Sequence, residues 1–138
     1  MIIARAPVRI SLGGGGTDLP AYASQFGGYC ISAAIDKYVY VVLNPRFDKN
    51  SIRVASATTE IVSNLDDMKH PLYRECLRKA GVHGGVELCS MSDVPANSGL
   101  GSSSSFTVAC LAALYAYKGE TKTHEQLADD ACIKLRIP

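Results

Sequence analysis

Residues that favour strands dominate the first third of the chain, where apolar positions are broken by a few polar ones. Met1 to Leu12 is apolar apart from a few positions such as Arg5 and Arg9, which predicts a pair of strands. Two further strands are expected at Tyr29 to Ile35 and at Lys37 to Leu43. This part of the chain therefore predicts a sheet rather than a helical bundle.

One short helix and one hairpin complete the first half of the chain. Leu19 to Phe26 predicts a helix with Asp18 as its N-cap and Pro20 in its first turn. Ser51 to Ala55 and Thr58 to Val62 are short β-rich segments, and they predict a hairpin.

Helical periodicity appears mainly in the second half. Pro71 to Ala80 predicts a helix that stops at Gly81, and Val86 to Met91 predicts a strand. Longer helices are expected at Ser103 to Tyr117 and at Thr123 to Leu135. Because strands come mostly first and helices mostly last, the order favours an α+β fold over an alternating βαβ sheet.

Composition narrows the classes of function. The chain has 138 residues, with 14 Lys+Arg against 13 Asp+Glu and a net charge of +1. This balance lacks the basic excess of nucleic-acid-binding proteins, and no apolar run reaches the roughly 20 residues of a membrane helix. The five cysteines lie apart in apolar segments with no C-x-x-C pair, which predicts buried thiols in the cytoplasm rather than a zinc site: Cys30, Cys76, Cys89, Cys110 and Cys132.

A loop rich in glycine and serine joins a predicted strand to a predicted helix at Asp93 to Ser105. A helix N-terminus leaves about four N–H groups unpaired and attracts anions, and glycines let a backbone approach a phosphate closely. The alternative is a serine-rich helix cap after an ordinary turn, but a cap needs only one serine. The loop therefore predicts a phosphate site at Pro95, Asn97, Ser98, Gly99, Leu100, Gly101, Ser102, Ser103 and Ser104.

These residues resemble a known family. The pattern P-x-x-x-G-L-G-S-S at a strand-to-helix junction, here from Pro95 to Ser103, is similar to the phosphate-binding signature of the GHMP kinases. This family includes galactokinase, homoserine kinase and mevalonate kinase. The resemblance implies that the loop wraps the triphosphate of ATP and that Ser103 helps to hold Mg²⁺.

A second constellation lies near the N-terminus, from Ala6 to Asp18. It places Arg9 on a strand, four glycines in a turn and Asp18 at a helix start. An arginine can brace a phosphoryl group, and a carboxylate beside exposed amides can bind sugar hydroxyls. Taken alone, the segment is also compatible with a glycine-rich β-turn next to a surface arginine.

This segment is similar to the first motif of galactokinase, with Arg9 at the arginine near the reacting hydroxyl and Asp18 at a sugar ligand. Gly15 and Gly16 replace the Glu-His of galactokinase, so plain galactose is not expected. The glycine-rich form most resembles the heptose-phosphate kinase branch. This resemblance implies transfer of phosphate to the anomeric hydroxyl of D-glycero-D-manno-heptose 7-phosphate, with Arg9 as the catalytic residue. The implied sugar-binding residues are Gly14, Gly15, Gly16, Thr17, Asp18 and Asp36; for Asp36 a solvated turn between strands is the alternative.

The family resemblance covers nearly the whole chain but only about the first half of a typical member. It implies an N-terminal domain over residues 1–138, a βαβ sandwich like that of a ribosomal protein, without the ferredoxin-like C-terminal domain. The catalytic aspartate and the magnesium-binding glutamate of the family are not found in this sequence. We therefore expect little turnover by this chain alone, and self-association or a bound second half.

Three functions remain open at this stage. The first is an ATP-dependent sugar-phosphate kinase, either of the heptose-phosphate type or a galactokinase- or fucokinase-like enzyme. The second is a catalytically inactive module that retains affinity for nucleotide or sugar phosphate. The third, an RNA-binding domain that shares only the fold, is disfavoured by the net charge and the intact Gly-Leu-Gly-Ser-Ser loop.

Overall fold

The fold is seen in a computed structural model that describes residues 1–134. It contains a mixed five-stranded sheet in the order β1-β2-β5-β3-β4, with β3 parallel to β5 and the other pairs antiparallel. The strands are β1 (Ile2–Gly13), β2 (Ile31–Pro45), β3 (Ile52–Ala55), β4 (Thr59–Val62) and β5 (Val86–Ser92). The helices are α1 (Pro20–Phe26), α2 (Pro71–Ala80), α3 (Ser102–Tyr117) and α4 (His124–Lys134), and a 3₁₀ turn spans Leu65–Asp67. The predicted α+β class is confirmed.

The hydrophobic core lies on one face of the sheet, beneath the helices. Val39, Val41 and Leu43 alternate along β2 and are buried, as the period of two in a strand requires. Helix α3 packs on β1 and β2, and α2 and α4 pack against α3. Most of α3 is apolar and buried around its circumference, so it is the central helix of the domain.

The first two strands are longer than the sequence predicted. Ile2–Gly13 is one strand rather than a pair, and it runs antiparallel to β2 over most of its length. The two strands predicted at Tyr29 to Ile35 and at Lys37 to Leu43 are one, because β2 runs without a break from Ile31 to Pro45, so the alternative of a solvated turn at Asp36 is not observed. Ala34 and Tyr38 pair with β1 at Arg9 and Pro7, and Asp36 and Lys37 lie between them at a shift in the register.

Helix α1 lies outside the core. Its predicted bounds are close to those observed, but Leu19 rather than Asp18 is the N-cap, and no side chain caps the helix. None of its residues is buried, and its apolar residues Tyr22 and Phe26 stack on each other, with ring centroids 5.1 Å apart. The Asp18 carboxylate is therefore not used as a helix cap.

The other helix ends follow sequence rules. Gly81 ends α2 in the left-handed conformation, as predicted. At the start of α4, Thr123 and Gln126 exchange side-chain-to-backbone hydrogen bonds of 3.0 and 3.2 Å, which form a capping box. Leu127 and Ala131 on this helix are buried, whereas the predicted core position Leu135 lies outside the described residues.

The prediction of buried thiols is correct for part of the set. Cys76 and Cys110 are buried between α2 and α3, whereas Cys30 and Cys132 are exposed. All five are free thiols. In the part of the chain that the structure describes, no helix is long and apolar enough to cross a bilayer.

Candidate functional site

The glycine- and serine-rich loop connects β5 to α3 and turns through three left-handed residues. Asn97, Gly99 and Gly101 have φ angles of +61°, +75° and +77°. Glycine adopts such angles without strain, which explains why two of the three positions are glycines. At its start, the loop is fixed to β2 by the Asp93 carboxylate, which accepts a 2.9 Å hydrogen bond from the Tyr38 N–H.

The loop leads into an uncapped helix N-terminus. Gly101 is the N-cap and has no side chain to bond the helix N–H groups. The N–H of Ser105 donates to the Gly101 carbonyl at 3.0 Å, so the three preceding serines have no helical acceptor for their N–H groups. Together with the helix dipole, these groups favour an anion at Ser102, Ser103 and Ser104.

Arg9 joins the N-terminal strand to this loop. Its side chain donates from Nη1 to the Gly99 carbonyl at 3.0 Å, and its backbone N–H donates to the Leu100 carbonyl at 2.9 Å. A Cβ at Gly101 would lie 3.1 Å from the Arg9 guanidinium carbon, so the glycine makes room for the arginine. The buried Ser105 hydroxyl adds a 2.8 Å bond to the Pro7 carbonyl. These contacts place a cation directly beside the predicted phosphate loop.

The glycine-rich segment after β1 folds back on the start of β2. The Thr17 hydroxyl donates to the Gly14 carbonyl at 2.8 Å and accepts from the Tyr29 N–H at 3.0 Å. Gly14 has φ +85°, and a Cβ there would lie 1.9 Å from the Tyr29 carbonyl oxygen. A Cβ at Gly28 would likewise lie 2.3 Å from the Thr17 carbonyl oxygen. Only glycines allow this close backbone approach.

The Cys30 thiol contacts the glycine turn and lies beside the Asp18 carboxylate. It donates to the Gly14 carbonyl at 3.1 Å. Partial desolvation and the neighbouring Asp18 carboxylate raise the pKa of Cys30, while the charge of Arg9 acts in the opposite direction. The thiol is therefore in the electrostatic environment of both Asp18 and Arg9. Sequence reasoning missed Cys30 because it treated all five cysteines as buried.

A cavity of about 390 Å³ opens beside the N-terminus of α3. Ser102 and Ser103 lie at its rim, and its walls are mainly apolar. The other lining residues come from β2, β5, the turn between β3 and β4, the start of α2, the loop and α3: Val39, Ser56, Ala57, His70, Leu72, Ser90, Met91, Ser92, Val94, Ala96 and Phe106. Sequence analysis gave no signal for this cavity, since its walls come from distant segments.

The fold brings some of the predicted site residues together and leaves others apart. Arg9 contacts the loop at Gly99, Leu100 and Gly101, and Asp18 lies beside the Cys30 thiol. Asp36 is an exposed residue in the interior of β2, near the register shift with β1. Pro95, Asn97 and Ser98 lie on the exposed part of the loop.

Comparison with known proteins identifies the family. The family model of the GHMP kinases N terminal domain matches residues 68–136, which include the whole glycine- and serine-rich loop. The chain belongs to the GHMP kinase family. Its match begins just before α2 and covers the strand, the loop and the central helix on which the predicted phosphate site depends.

Individual relatives in this family are kinases, and several act on phosphorylated substrates. The chain is 32% identical over 120 residues, 79% of its length, to a D-glycero-alpha-D-manno-heptose 7-phosphate kinase of Campylobacter jejuni. Its fold is similar to that of a D-glycero-D-manno-heptose 1-phosphate kinase from Bacteriodes thetaiotaomicron (TM-score 0.87, 21% identity, 99% of this chain). It is also similar to Streptococcus pneumoniae phosphomevalonate kinase in complex with phosphomevalonate and AMPPNP (TM-score 0.76, 18% identity, 98% of this chain).

The chain spans half or less of the length of these relatives. It covers 35% of the Campylobacter kinase, 48% of the Bacteriodes kinase chain and 42% of the phosphomevalonate kinase chain. The predicted family and the predicted fold of its N-terminal domain are both confirmed by these matches.

Proposed function

We propose that this chain carries the nucleotide-binding loop and part of the acceptor site of an ATP-dependent sugar-phosphate kinase. The acceptor that the motif and the 32% identical relative support is D-glycero-D-manno-heptose 7-phosphate, phosphorylated on its anomeric hydroxyl. The observation that carries the proposal is the bond from Arg9 to the Gly99 carbonyl. It brings the acceptor segment and the phosphate loop together at one place.

The loop fits a triphosphate. Its left-handed glycines open the backbone, three serine N–H groups have no helical acceptor, and Arg9 supplies a positive charge beside them. In the proposed complex the phosphates lie along Gly99 to Ser104, and the base enters the adjacent cavity. The exposed Pro95, Asn97 and Ser98 would line the outer side of the loop.

For Mg²⁺ we assign one ligand at this place, the serine that matches the family motif. The Ser103 hydroxyl lies in the first turn of α3, next to the proposed phosphates. Mg²⁺ bound to ATP keeps phosphate and water oxygens as ligands and needs only one or two from the protein. Among residues 1–134 no group of three or more His, Cys, Asp or Glu side chains is arranged to hold a metal ion. We assign Ser103 to the metal on this basis; bound Mg²⁺ would neutralise charge on the phosphates.

The acceptor sugar would lie against Gly14 to Asp18. Exposed backbone groups and the Asp18 carboxylate can bind sugar hydroxyls there. Arg9, between this segment and the phosphate loop, can stabilise the charge that develops on the transferred group. Asp36 remains a candidate for the outer part of the same site.

Binding of nucleotide tests this proposal directly. The 138-residue chain should bind MgATP and inorganic tripolyphosphate in isothermal titration calorimetry, because the loop recognises phosphate rather than the whole nucleotide. Ser103→Ala should weaken MgATP binding but have less effect when magnesium is removed with EDTA. Ser63→Ala, an exposed serine after β4, is the matched control and should bind as the wild type does. Absence of binding of either ligand to the wild-type chain would overturn the proposal.

Turnover by the chain alone is expected to be low or absent. A sugar hydroxyl is a poor nucleophile unless a base or an orienting carboxylate is placed beside it. Asp130 is already engaged, since it accepts a 2.8 Å bond from the Tyr115 hydroxyl and pairs with Lys79 at 2.7 Å. Tyr115 is 12 residues beyond Ser103 on α3, roughly 18 Å along a helix.

A coupled ATPase assay with heptose 7-phosphate measures this expectation, and size-exclusion chromatography with light scattering measures the expected self-association. A monomer with full kinase activity would contradict the expectation. Binding without turnover would favour the second candidate, a nucleotide- or sugar-phosphate-binding module, for this chain by itself.

A further inference from the structure

One side chain of the cavity is held more firmly than the others. The backbone N–H groups of Lys69 and His70 both donate to the Glu60 carboxylate, at 2.7 and 3.0 Å. The His70 ring also packs on Tyr73 and Phe106, with ring centroids 4.8 and 5.9 Å away. The backbone of His70 is therefore held by β4, and its ring packs against α2 and α3 at the wall of the cavity.

The tautomer of this histidine follows from its role as a helix cap. Nδ1 of His70 accepts a 3.4 Å hydrogen bond from the Tyr73 N–H at the start of α2. Burial lowers the pKa of His70, against the opposing effect of Glu60, so the imidazole is neutral at pH 7. With Nδ1 accepting, the proton of the neutral ring is on Nε2.

The Nε2–H group is available to a ligand. Within residues 1–134 the hydrogen bonds of His70 involve its backbone groups and Nδ1 and leave Nε2 without a partner, and His70 and Ser103 line the same cavity. The remaining lining residues are small, apolar or hydroxyl-bearing. Among them His70 is the one with a flat ring and an N–H donor, a combination that suits a heteroaromatic base.

We propose that His70 recognises the base of the nucleotide, which its ring contacts while Nε2–H donates to a ring nitrogen of a purine. This inference rests on the proposed function, because it places the phosphates of the same ligand at Gly99 to Ser104. It adds a specificity-determining residue outside both sequence motifs. It also predicts that affinity for ATP exceeds affinity for tripolyphosphate by the contribution of the base.

The test must separate base recognition from the capping of α2. His70→Asn does so, since asparagine is a strong N-cap that can accept from the Tyr73 N–H but has no ring. This variant should keep the melting temperature of the wild type, bind tripolyphosphate unchanged and bind ATP about tenfold more weakly, as expected for the loss of one base contact. His70→Ala should lose the cap as well and melt earlier. Lys69→Ala is the matched control, because only the backbone of this exposed residue makes the Glu60 contact.

The outcomes distinguish the two proposals. If His70→Asn binds ATP as tightly as the wild type, the inference is wrong while the phosphate site stands. The inference also fails if the wild type binds ATP no better than tripolyphosphate. If the wild type binds neither, the proposed function fails and this assignment with it. Base recognition is supported if His70→Asn loses tenfold in affinity for ATP but none for tripolyphosphate. It is also supported if the wild type binds CTP more weakly than ATP, while His70→Asn binds the two nucleotides equally.

Discussion

Replacing Gly14 with alanine should destabilise the fold and abolish binding of the acceptor sugar. The residue has φ +85°, and the added Cβ would lie 1.9 Å from the Tyr29 carbonyl oxygen. One of the two backbone segments must move, which breaks the bonds from Thr17 and Cys30 to the Gly14 carbonyl. We expect a loss of about 1–3 kcal/mol in the free energy of unfolding, the usual size of such backbone strain. Urea denaturation measures the stability, and calorimetry with heptose 7-phosphate measures acceptor binding.

Gly13→Ala is the matched control for this variant. A Cβ at Gly13 meets nothing within 4 Å, and its φ is not in the left-handed region. Its unfolding midpoint should stay close to that of the wild type. Equal stability and equal acceptor binding in the Gly13 and Gly14 variants would show that the glycine segment tolerates a side chain, and would remove the argument for a tightly built acceptor site.

The second large effect is expected for Arg9→Ala, which should weaken MgATP binding by roughly tenfold or more. The substitution removes a charged hydrogen bond to the Gly99 carbonyl, a bond of a type that contributes about 1.5–3 kcal/mol. It also removes the positive charge beside the proposed phosphates. Arg9→Lys should recover little of the lost MgATP affinity, because a lysine lacks the planar guanidinium group that packs against Gly101. Calorimetry at two salt concentrations separates the charge from the contact, since salt screens only the charge.

Arg5→Ala provides the comparison on the same strand. Arg5 is exposed and lies over the Tyr38 ring, 4.5 Å from its centroid, and among residues 1–134 its side chain makes no hydrogen bond or ion pair with the loop. This variant should bind MgATP as the wild type does. A similar loss of affinity in both variants would mean that the general charge of β1, and not the specific position of Arg9, attracts the nucleotide.

Local patterns predicted most of the elements with correct bounds. The hairpin at β3 and β4, helix α2 with its stop at Gly81, and helix α3 all depend on nearby residues, so the sequence pattern was sufficient. The break predicted between two strands at Asp36 was wrong because polar residues within an exposed strand resemble a turn. The residues on both sides of it, Ala34 and Tyr38, pair with β1, and this tertiary contact is not visible in the local pattern.

The site was predicted in parts. The phosphate loop was recognised because glycines, serines and a helix start follow each other directly in the chain. The contact between Arg9 and Gly99 was beyond sequence reasoning alone, since it depends on how β1 and α3 pack. Neither Cys30 nor His70 had a local sequence pattern that pointed to the site. Cys30 is exposed at the glycine turn, although its apolar surroundings in the sequence resemble those of a buried cysteine. His70 resembles an ordinary residue before a helical proline.

The 90-residue separation between Arg9 and Gly99 also affects when the site can form during folding. Closing so long a loop costs conformational entropy, which local contacts cannot offset until the sheet and α3 have assembled. During synthesis β1 leaves the ribosome long before its partner loop exists. Nucleotide that binds only the completed contact pulls the folding equilibrium forward by mass action. Under the proposed function, ATP would stabilise the folded state of the newly synthesised chain by binding to it.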